Sequence, residues 1–214
     1  YELMNEPVAD DPGDWNRLIA WAFAAIRERE PERTIVIGSN RWQGAETFDE
    51  LEVPDDPYII LSYHFYEPFL FTHYLTSWNF TRDYTGPVRY PGTILTREEF
   101  EAAPEPLKEE LERFAGEHFD KQVLLEMMEK PLRRAKELGL PLYCGEFGVF
   151  SAAPDDDTVQ WFKDMLEIFE EQGVSWANWN YKSDQFGFVG FDGEPIELIK
   201  GALKPALARQ KSID

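Results

Sequence analysis

The sequence predicts an α/β protein, a (β/α)8 TIM barrel of which this chain supplies about five strand–helix units. Short, continuously apolar segments alternate with longer segments of helical periodicity, and most links between them are short. Uninterrupted apolar strands are typical of parallel sheets covered by helices on both faces. A doubly wound open sheet shows the same alternation, but it would carry a glycine-rich phosphate turn after an early strand, and none occurs here. We therefore favour the barrel.

Five strands and four main helices follow from this alternation. The predicted strands cover residues 1–5, 34–38, 58–64, 140–146 and 174–181. The predicted helices cover residues 15–30, 119–138, 155–171 and 195–208, with a short one within 44–51. Asp14 is a plausible N-cap for the first helix, Pro131 should kink or restart the second, and Gly139 and Gly173 should end the second and third.

One connection is much longer than the others. Residues 67–117 are rich in aromatic residues, proline and glycine, and we interpret them as a long active-site loop. Short helices are expected inside it, because residues 96–99 match a capping box and residues 106–114 are good helix formers. We assign residues 1–214 to a single domain.

Composition limits the classes of partner. The chain of 214 residues has 41 acidic and 21 basic residues and a formal net charge of −20. Such a surface repels nucleic acid and anionic lipid, and no apolar run is long enough for a membrane span. The single cysteine, Cys144, excludes an intrachain disulfide and leaves the compartment open. The start at Tyr1 lacks an initiator methionine and a signal sequence, which we interpret as the interior of a longer chain.

Two glutamates lie where predicted strands end. Glu6 lies in Asn5-Glu6-Pro7 and Glu146 in Gly145-Glu146-Phe147-Gly148. Parallel barrel strands present their carboxyl ends to one mouth, so the two side chains should meet there although they are far apart in sequence. Two carboxylates about 5 Å apart are what double displacement at a sugar carbon requires. Either glutamate alone would more often be a surface residue.

Four segments taken together resemble glycoside hydrolase family 5, the cellulase-like retaining β-glycanases of clan A. They match, in order, the fourth, sixth, seventh and eighth barrel strands of that family: Leu3-Met4-Asn5-Glu6-Pro7, Ser62-Tyr63-His64-Phe65-Tyr66, Tyr143-Cys144-Gly145-Glu146-Phe147-Gly148 and Trp176-Ala177-Asn178-Trp179-Asn180-Tyr181. The resemblance implies that this chain is the C-terminal portion of the barrel, its fourth to eighth units. Residues that the family places on its second and third strands have no counterpart here.

The resemblance also implies roles. Glu6 would be the acid/base and Glu146 the nucleophile, while Asn5 would bind the sugar 2-hydroxyl. His64 and Tyr66 would position the two carboxylates. Trp179 would form an aromatic floor beneath the sugar, although core filling is the alternative for it, and we expect Trp176 to be buried. Trp42, His73 and Trp78 would either extend the cleft or anchor loops.

The function predicted on this basis is a retaining glycoside hydrolase, an endoglucanase acting on β-1,4-glucan or a related β-glucan, present as a fragment or split half. The alternative is a non-catalytic carbohydrate-binding or assembly half-barrel. A complementary N-terminal half-barrel, or self-association through open strand edges, is the expected protein partner. The family's habit implies secretion. We expect no cofactor and no metal, since the three histidines are scattered, and we interpret Cys144 as a packed strand residue and not a nucleophile.

Overall fold

The computed structural model describes residues 1–183, 185–197 and 201. The strands in this part of the chain are β1 (Ile35–Gly38), β2 (Ile59–Phe65), β3 (Gly92–Thr93), β4 (His118–Phe119), β5 (Leu142–Phe147) and β6 (Ser175–Asn178). The longer helices are Pro12–Arg29, Lys121–Met127, Glu129–Leu138 and Asp155–Gln172. Shorter α-helical turns are Phe69–Thr72, Arg97–Ala102 and Lys108–Leu111, and 3-10 turns are Ala45–Glu50, Phe80–Asp83, Glu105–Leu107 and Glu112–Phe114.

The main sheet has the strand order β1-β2-β5-β6. β1 and β2 are parallel, with Ile35 opposite Ile59 and Gly38 opposite Ser62. The first residues of the chain lie along the other side of β1, where Glu2 forms a parallel bridge with Val36. This succession of sheet positions separated by helices confirms the predicted alternation of strands and helices.

Contacts within the chain divide it into two compact units. The first comprises residues 1–65, 126–146 and 172–177, and it holds most of the main sheet. The second comprises residues 66–125, 147–171 and the described residues from 178 onward, including the small antiparallel pair β3 and β4. The assignment of residues 1–214 to a single domain stays a prediction.

Apolar strand residues form the core of the first unit. Ile35, Ile37, Ile59 and Leu61 are all at most 1% exposed. The helix Pro12–Arg29 also contributes to this core, because the Trp15 indole N–H donates to the Gly38 carbonyl at 3.0 Å. Burial of such side chains contributes about 1.5–3 kcal/mol each, so the uninterrupted apolar run that predicted the strands also stabilises them.

The first helix begins earlier than predicted. It starts at Pro12, and the Asp11 carboxylate, not that of Asp14, caps it by accepting from the Gly13 N–H. Proline is favoured in the first helical turn because its missing N–H has no helical partner there. Asp14 instead lies inside the first turn, where its charge favours the helix dipole.

The helix predicted over 119–138 is two helices. The first ends at Met127 and the second begins at Glu129, which confirms a restart near Pro131. The proline ring excludes the carbonyl four residues earlier, that of Met127, from a helical hydrogen bond. Residues 118–119 form β4 and not helix, and the Asp120 carboxylate accepts the Val123 N–H at the new helix start.

Helix ends follow the predicted glycines. Gly139 has a φ of 65° at the end of Glu129–Leu138, and Gly173 has a φ of 67° after Asp155–Gln172. Within the long connection, Thr96 and Glu99 form the predicted capping box at the start of Arg97–Ala102. Among the described residues, none of the helices combines the length and apolar character needed to cross a bilayer.

Two predicted strands are shorter than expected. Tyr1 and Met4 are 57% and 45% exposed, so residues 1–5 are not a buried strand but an edge segment with one bridge. β6 covers Ser175–Asn178 and not residues 174–181. Both lie at the ends of the described sheet order, where a strand has one neighbour to bond with. The predicted helix over 195–208 lies mainly outside the described residues.

Candidate active site

Three side chains predicted as site residues meet in the first unit. His64 stands near the carboxyl end of β2 and Glu146 near the carboxyl end of the neighbouring β5. Glu6 follows the segment that runs beside β1. Because these chain segments lie side by side, their final polar residues reach the same edge of the sheet.

The distances within this group are short. The His64 Nδ1 atom lies 3.0 Å from Glu6 Oε1 and 3.6 Å from Glu146 Oε2. One oxygen of each carboxylate and one imidazole nitrogen all lie within 4.8 Å of one another. The His64 side chain is 3% exposed, that of Glu146 12% and that of Glu6 32%, so the outermost member is Glu6. A ligand could therefore reach the two carboxylates, whereas the imidazole is held behind them.

The backbone at Glu6 has an unusual conformation. Its φ is 49°, in the left-handed region that non-glycine residues seldom occupy. The Glu6 N–H donates to the side-chain oxygen of Gln43 at 2.9 Å, which satisfies the donor in this turn. Gln43 is fully buried, and its role was not predicted from the sequence. The signal available in the sequence was the position of Gln43, a polar residue shortly after the end of the apolar strand β1.

Gly145 leaves room for the side chains of Ser62 and His64. An added Cβ at Gly145 would lie 3.0 Å from Ser62 Oγ and 3.1 Å from His64 Nε2. Such contacts are tighter than ordinary packing allows. The glycine beside Glu146 is therefore required for the close approach of β2 side chains to β5.

Cys144 is a core residue. Its side chain is completely buried, and its thiol lies 3.3 Å from the Glu146 carbonyl oxygen. Burial raises the pKa of Cys144 well above its ordinary value and does the same for the pKa of Tyr63. The thiol thus stays protonated and unreactive, which agrees with the interpretation of Cys144 as a packed strand residue.

The other predicted residues, Asn5, Tyr66 and Trp179, are divided between the two units. Asn5 precedes Glu6 and is exposed. Tyr66 belongs to the second unit, where its ring contacts His73 and Phe186. Trp179 also belongs there and is 46% exposed. Its backbone N–H donates to the Phe147 carbonyl at 2.9 Å.

Tryptophan exposure partly contradicts the sequence expectations. Trp176 is half-buried and not fully buried, and its strand β6 stands at one end of the described sheet order. Trp42 and Trp78 are 58% and 57% exposed, so neither is a core residue.

His73 anchors a loop in the second unit. It stacks on Phe69 with ring centroids 4.0 Å apart, and its Nδ1 lies 3.0 Å from Thr72 Oγ1. Burial lowers the pKa of His73 to about 3, so the ring is neutral at physiological pH. Of the two roles left open by the sequence, the structure supports the anchor.

Two carboxylates and an imidazole are also donors that a metal ion accepts. In this structure, however, the His64 Nδ1 already lies at hydrogen-bonding distance from Glu6. The imidazole therefore already has a hydrogen-bonding partner in the Glu6 carboxylate. The absence of a metal requirement stays a prediction.

Comparison with known proteins gives a consistent family assignment. A family model described as cellulase (glycosyl hydrolase family 5) matches residues 1–185. Endoglucanase C of Acetivibrio thermocellus is 32% identical over 215 aligned residues, which cover 99% of this chain and 61% of that protein. Cellodextrinase A of Ruminococcus flavefaciens is 29% identical, over 82% of this chain and 45% of its own length.

Solved structures agree on the fold. A hyperthermophilic endo-β-1,4-glucanase in complex with substrate superposes with a TM-score of 0.74 at 29% identity, covering 95% of this chain and 58% of its own. Thermotoga maritima Cel5A in complex with cellobiose gives 0.75 at 24% identity, covering 94% and 58%. The chain thus spans about three-fifths of the length of these endoglucanases.

Proposed function

The chain belongs to the cellulase family, glycosyl hydrolase family 5, and from this membership we propose that it carries the two catalytic carboxylates of a retaining β-glycanase. The substrate class is β-1,4-glucan or a related β-glucan, and the reaction is that of an endoglucanase. Related proteins that carry the name endoglucanase support this choice of substrate.

One observation carries the proposal. An oxygen of Glu6 and an oxygen of Glu146 lie within 4.8 Å of each other. Retaining glycosidases hold their carboxyl groups about 5–5.5 Å apart, whereas inverting enzymes leave about 6.5–9.5 Å for a water molecule. A separation in this range is that of the retaining class and favours double displacement.

The two residues would divide the work as follows. The Glu146 carboxylate attacks the anomeric carbon, and the bond to the leaving oxygen breaks as that oxygen takes a proton from the Glu6 carboxylic acid. In the second step the Glu6 carboxylate removes a proton from water, whose oxygen displaces Glu146 from the sugar and restores both groups. The lower exposure of Glu146 agrees with the role of nucleophile. The higher exposure of Glu6 agrees with the role of a group that exchanges protons with water.

The other family positions would bind and position the substrate. We propose that Asn5 bonds the sugar 2-hydroxyl and that His64 orients the carboxylates, as its two short contacts suggest. Tyr66 would steady the nucleophile, and the exposed ring of Trp179 would pack beneath the sugar. Secretion is likewise proposed from the family's habit.

A partner would complete the barrel. A closed (β/α)8 barrel has eight strands, and the described sheet offers four strands plus the bridged edge segment. We propose that a complementary N-terminal half-barrel supplies the others. Self-association through strand edges is the alternative arrangement, and an inactive binding or assembly half-barrel is the alternative function.

The test uses hydrolysis of cello-oligosaccharides and of 2,4-dinitrophenyl β-cellobioside. The chain is assayed alone and mixed with the segment of a matched endoglucanase that has no counterpart here. Glu146→Ala and Glu6→Ala should each lose at least about a hundredfold in rate on cello-oligosaccharides. The control Glu52→Gln, which changes an exposed carboxylate of the first unit, should keep the rate of the parent.

Added azide separates the two roles. With Glu146→Ala, azide should occupy the nucleophile's face and give an α-glycosyl azide. With Glu6→Ala, azide should attack the glycosyl-enzyme and give a β-glycosyl azide. Interchanged products would reverse the assignment. Full activity of either variant would refute it, measured in the active assembly, which is whichever of the two samples, chain alone or mixture, hydrolyses the substrate. Cellodextrin binding without hydrolysis in every assembly would favour the binding module.

A further inference from the structure

The segment after β1 forms a left-handed turn. Arg41, Trp42 and Gln43 have φ values of 50°, 59° and 56°. None is a glycine, and residues with a Cβ adopt such backbone conformations only at a cost in free energy. Strain of this kind persists where surrounding contacts fix it, so the contacts of this turn indicate what it does.

Those contacts reach the segment that carries Glu6. The Asn40 side chain accepts the Ala9 N–H at 2.8 Å and donates to the Ala9 carbonyl at 2.9 Å. The Trp42 N–H donates to the Pro7 carbonyl at 3.2 Å. Together with the bond from Glu6 to Gln43, four hydrogen bonds join the turn 40–43 to the segment 6–9.

Gln43 makes the contact nearest to the catalytic side chain. Its amide oxygen accepts the Glu6 N–H at 2.9 Å, and its amide nitrogen donates to Ser62 Oγ at 3.1 Å and to Glu2 Oε1 at 3.3 Å. The partners fix this orientation of the amide, because a backbone N–H can only donate and an ionised carboxylate can only accept. A side chain that both accepts and donates is therefore required at this position.

The fold also reserves space for this side chain. A Cβ at Gly38 would lie 2.3–2.6 Å from the Gln43 side chain, which no packing rearrangement short of its displacement could accommodate. Gln43 is completely buried, and Ser62, to which it donates, is also completely buried. The amide is thus held rigidly between the Glu6 backbone and the strand that carries His64.

We propose that Gln43 is a positioning residue for Glu6, an inference that rests on the proposed function. By fixing the Glu6 backbone at a φ of 49°, it aims the carboxyl group at His64 and at the leaving oxygen. It does not touch substrate. Its loss should therefore weaken proton donation and leave attack by Glu146 intact.

Leaving groups of different basicity test this role. Gln43→Met keeps the length of the side chain but loses all three hydrogen bonds. We expect kcat/KM for cello-oligosaccharides, whose alkoxide leaving group needs a proton, to fall about tenfold or more. For 2,4-dinitrophenyl β-cellobioside, whose leaving group needs none, it should fall less than about threefold. Gln43→Glu, which can still accept the Glu6 N–H, should recover part of the loss.

Controls keep the outcomes distinct. Gln172→Met, at an exposed helix end, should match the parent with both substrates, and thermal unfolding should show that each variant folds. An equal fall for both substrates, or no fall, would overturn the role of Gln43. A Glu6→Gln variant that keeps full activity would instead refute the proposed function.

A crystal structure of Gln43→Met gives a readout that does not depend on turnover. The distance from Glu6 Oε1 to His64 Nδ1 should exceed 3.5 Å, against 3.0 Å in the parent. An unchanged distance would contradict the inference.

Discussion

Substitution of Gly145 by alanine tests whether the imidazole of His64 needs the gap between β2 and β5. The new Cβ would lie 3.0 Å from Ser62 Oγ, 3.1 Å from His64 Nε2 and 3.3 Å from His64 Cδ2. Ordinary contacts begin near 3.5 Å, so one or both neighbours must move by a few tenths of an ångström. Neither can move easily, because Ser62 is fully buried and His64 is 6% exposed.

Two terms set the size of the effect on stability. Overpacking costs about 1–3 kcal/mol, whereas replacing a glycine of ordinary φ restricts the unfolded chain and returns about 0.4–1 kcal/mol. We expect Gly145→Ala to lower the free energy of unfolding by about 1–2 kcal/mol, measured by urea denaturation. In the active assembly a His64 ring displaced by about 0.5 Å should lower kcat roughly tenfold, since 1 Å of misplacement costs about a hundredfold.

A matched control isolates crowding from the general effect of losing a glycine. At Gly13 an added Cβ would meet only the flexible ends of Asp11 and Arg17. Gly13→Ala should therefore leave activity unchanged. If Gly145→Ala keeps both the stability and the activity of the parent, the close approach does not hold the imidazole and the reasoning fails.

Three further changes test other parts of the structure. The buried Cys144 thiol, whose pKa is raised by burial, should resist iodoacetamide at pH 8 in the folded chain and react only after unfolding; rapid labelling would contradict its burial. The Arg89 guanidinium, 2.9 Å from Glu99, holds the pKa of that carboxyl down to about 2. Arg89→Met should lower the free energy of unfolding at pH 7 by about 1 kcal/mol. The difference in free energy of unfolding between variant and parent should disappear as the pH falls from about 4.5 to about 2, because Glu99 becomes protonated. A difference that stays constant with pH would refute the pairing. Tyr90→Phe removes the hydroxyl that donates to buried Asp164 at 2.7 Å and should cost about 1–3 kcal/mol in urea denaturation, whereas an unchanged midpoint would contradict that bond.

Local signals made much of the fold predictable. β1 and β2 are short apolar runs, and Gly139 and Gly173 end helices at a positive φ that glycine adopts without strain. Strand lengths at the ends of the described sheet were less predictable. Residues 1–5 have the composition of a strand, but pairing depends on neighbours that are distant in sequence.

The candidate site divides in the same way. Glu6 and Glu146 were identified because each lies where a predicted strand ends, and His64 because its segment resembles the sixth barrel strand of the family; the structure brings the three together. Gln43 could not be identified, because its turn depends on positive φ values at residues whose propensities oppose them. Hydrogen bonds to the segment carrying Glu6 hold that backbone, and these are contacts between distant parts of the sequence.

The most direct test is covalent capture of the nucleophile. A 2-deoxy-2-fluoro-β-cellobiosyl fluoride reacts through its good leaving group, while the fluorine at C2 slows hydrolysis of the glycosyl-enzyme, so the adduct accumulates. The active assembly should gain the mass of one fluorocellobiosyl group, and fragmentation of the labelled peptide should place that group on Glu146. A label on any other residue, or release of product with inverted configuration, would contradict the proposal that Glu6 and Glu146 act as a retaining pair.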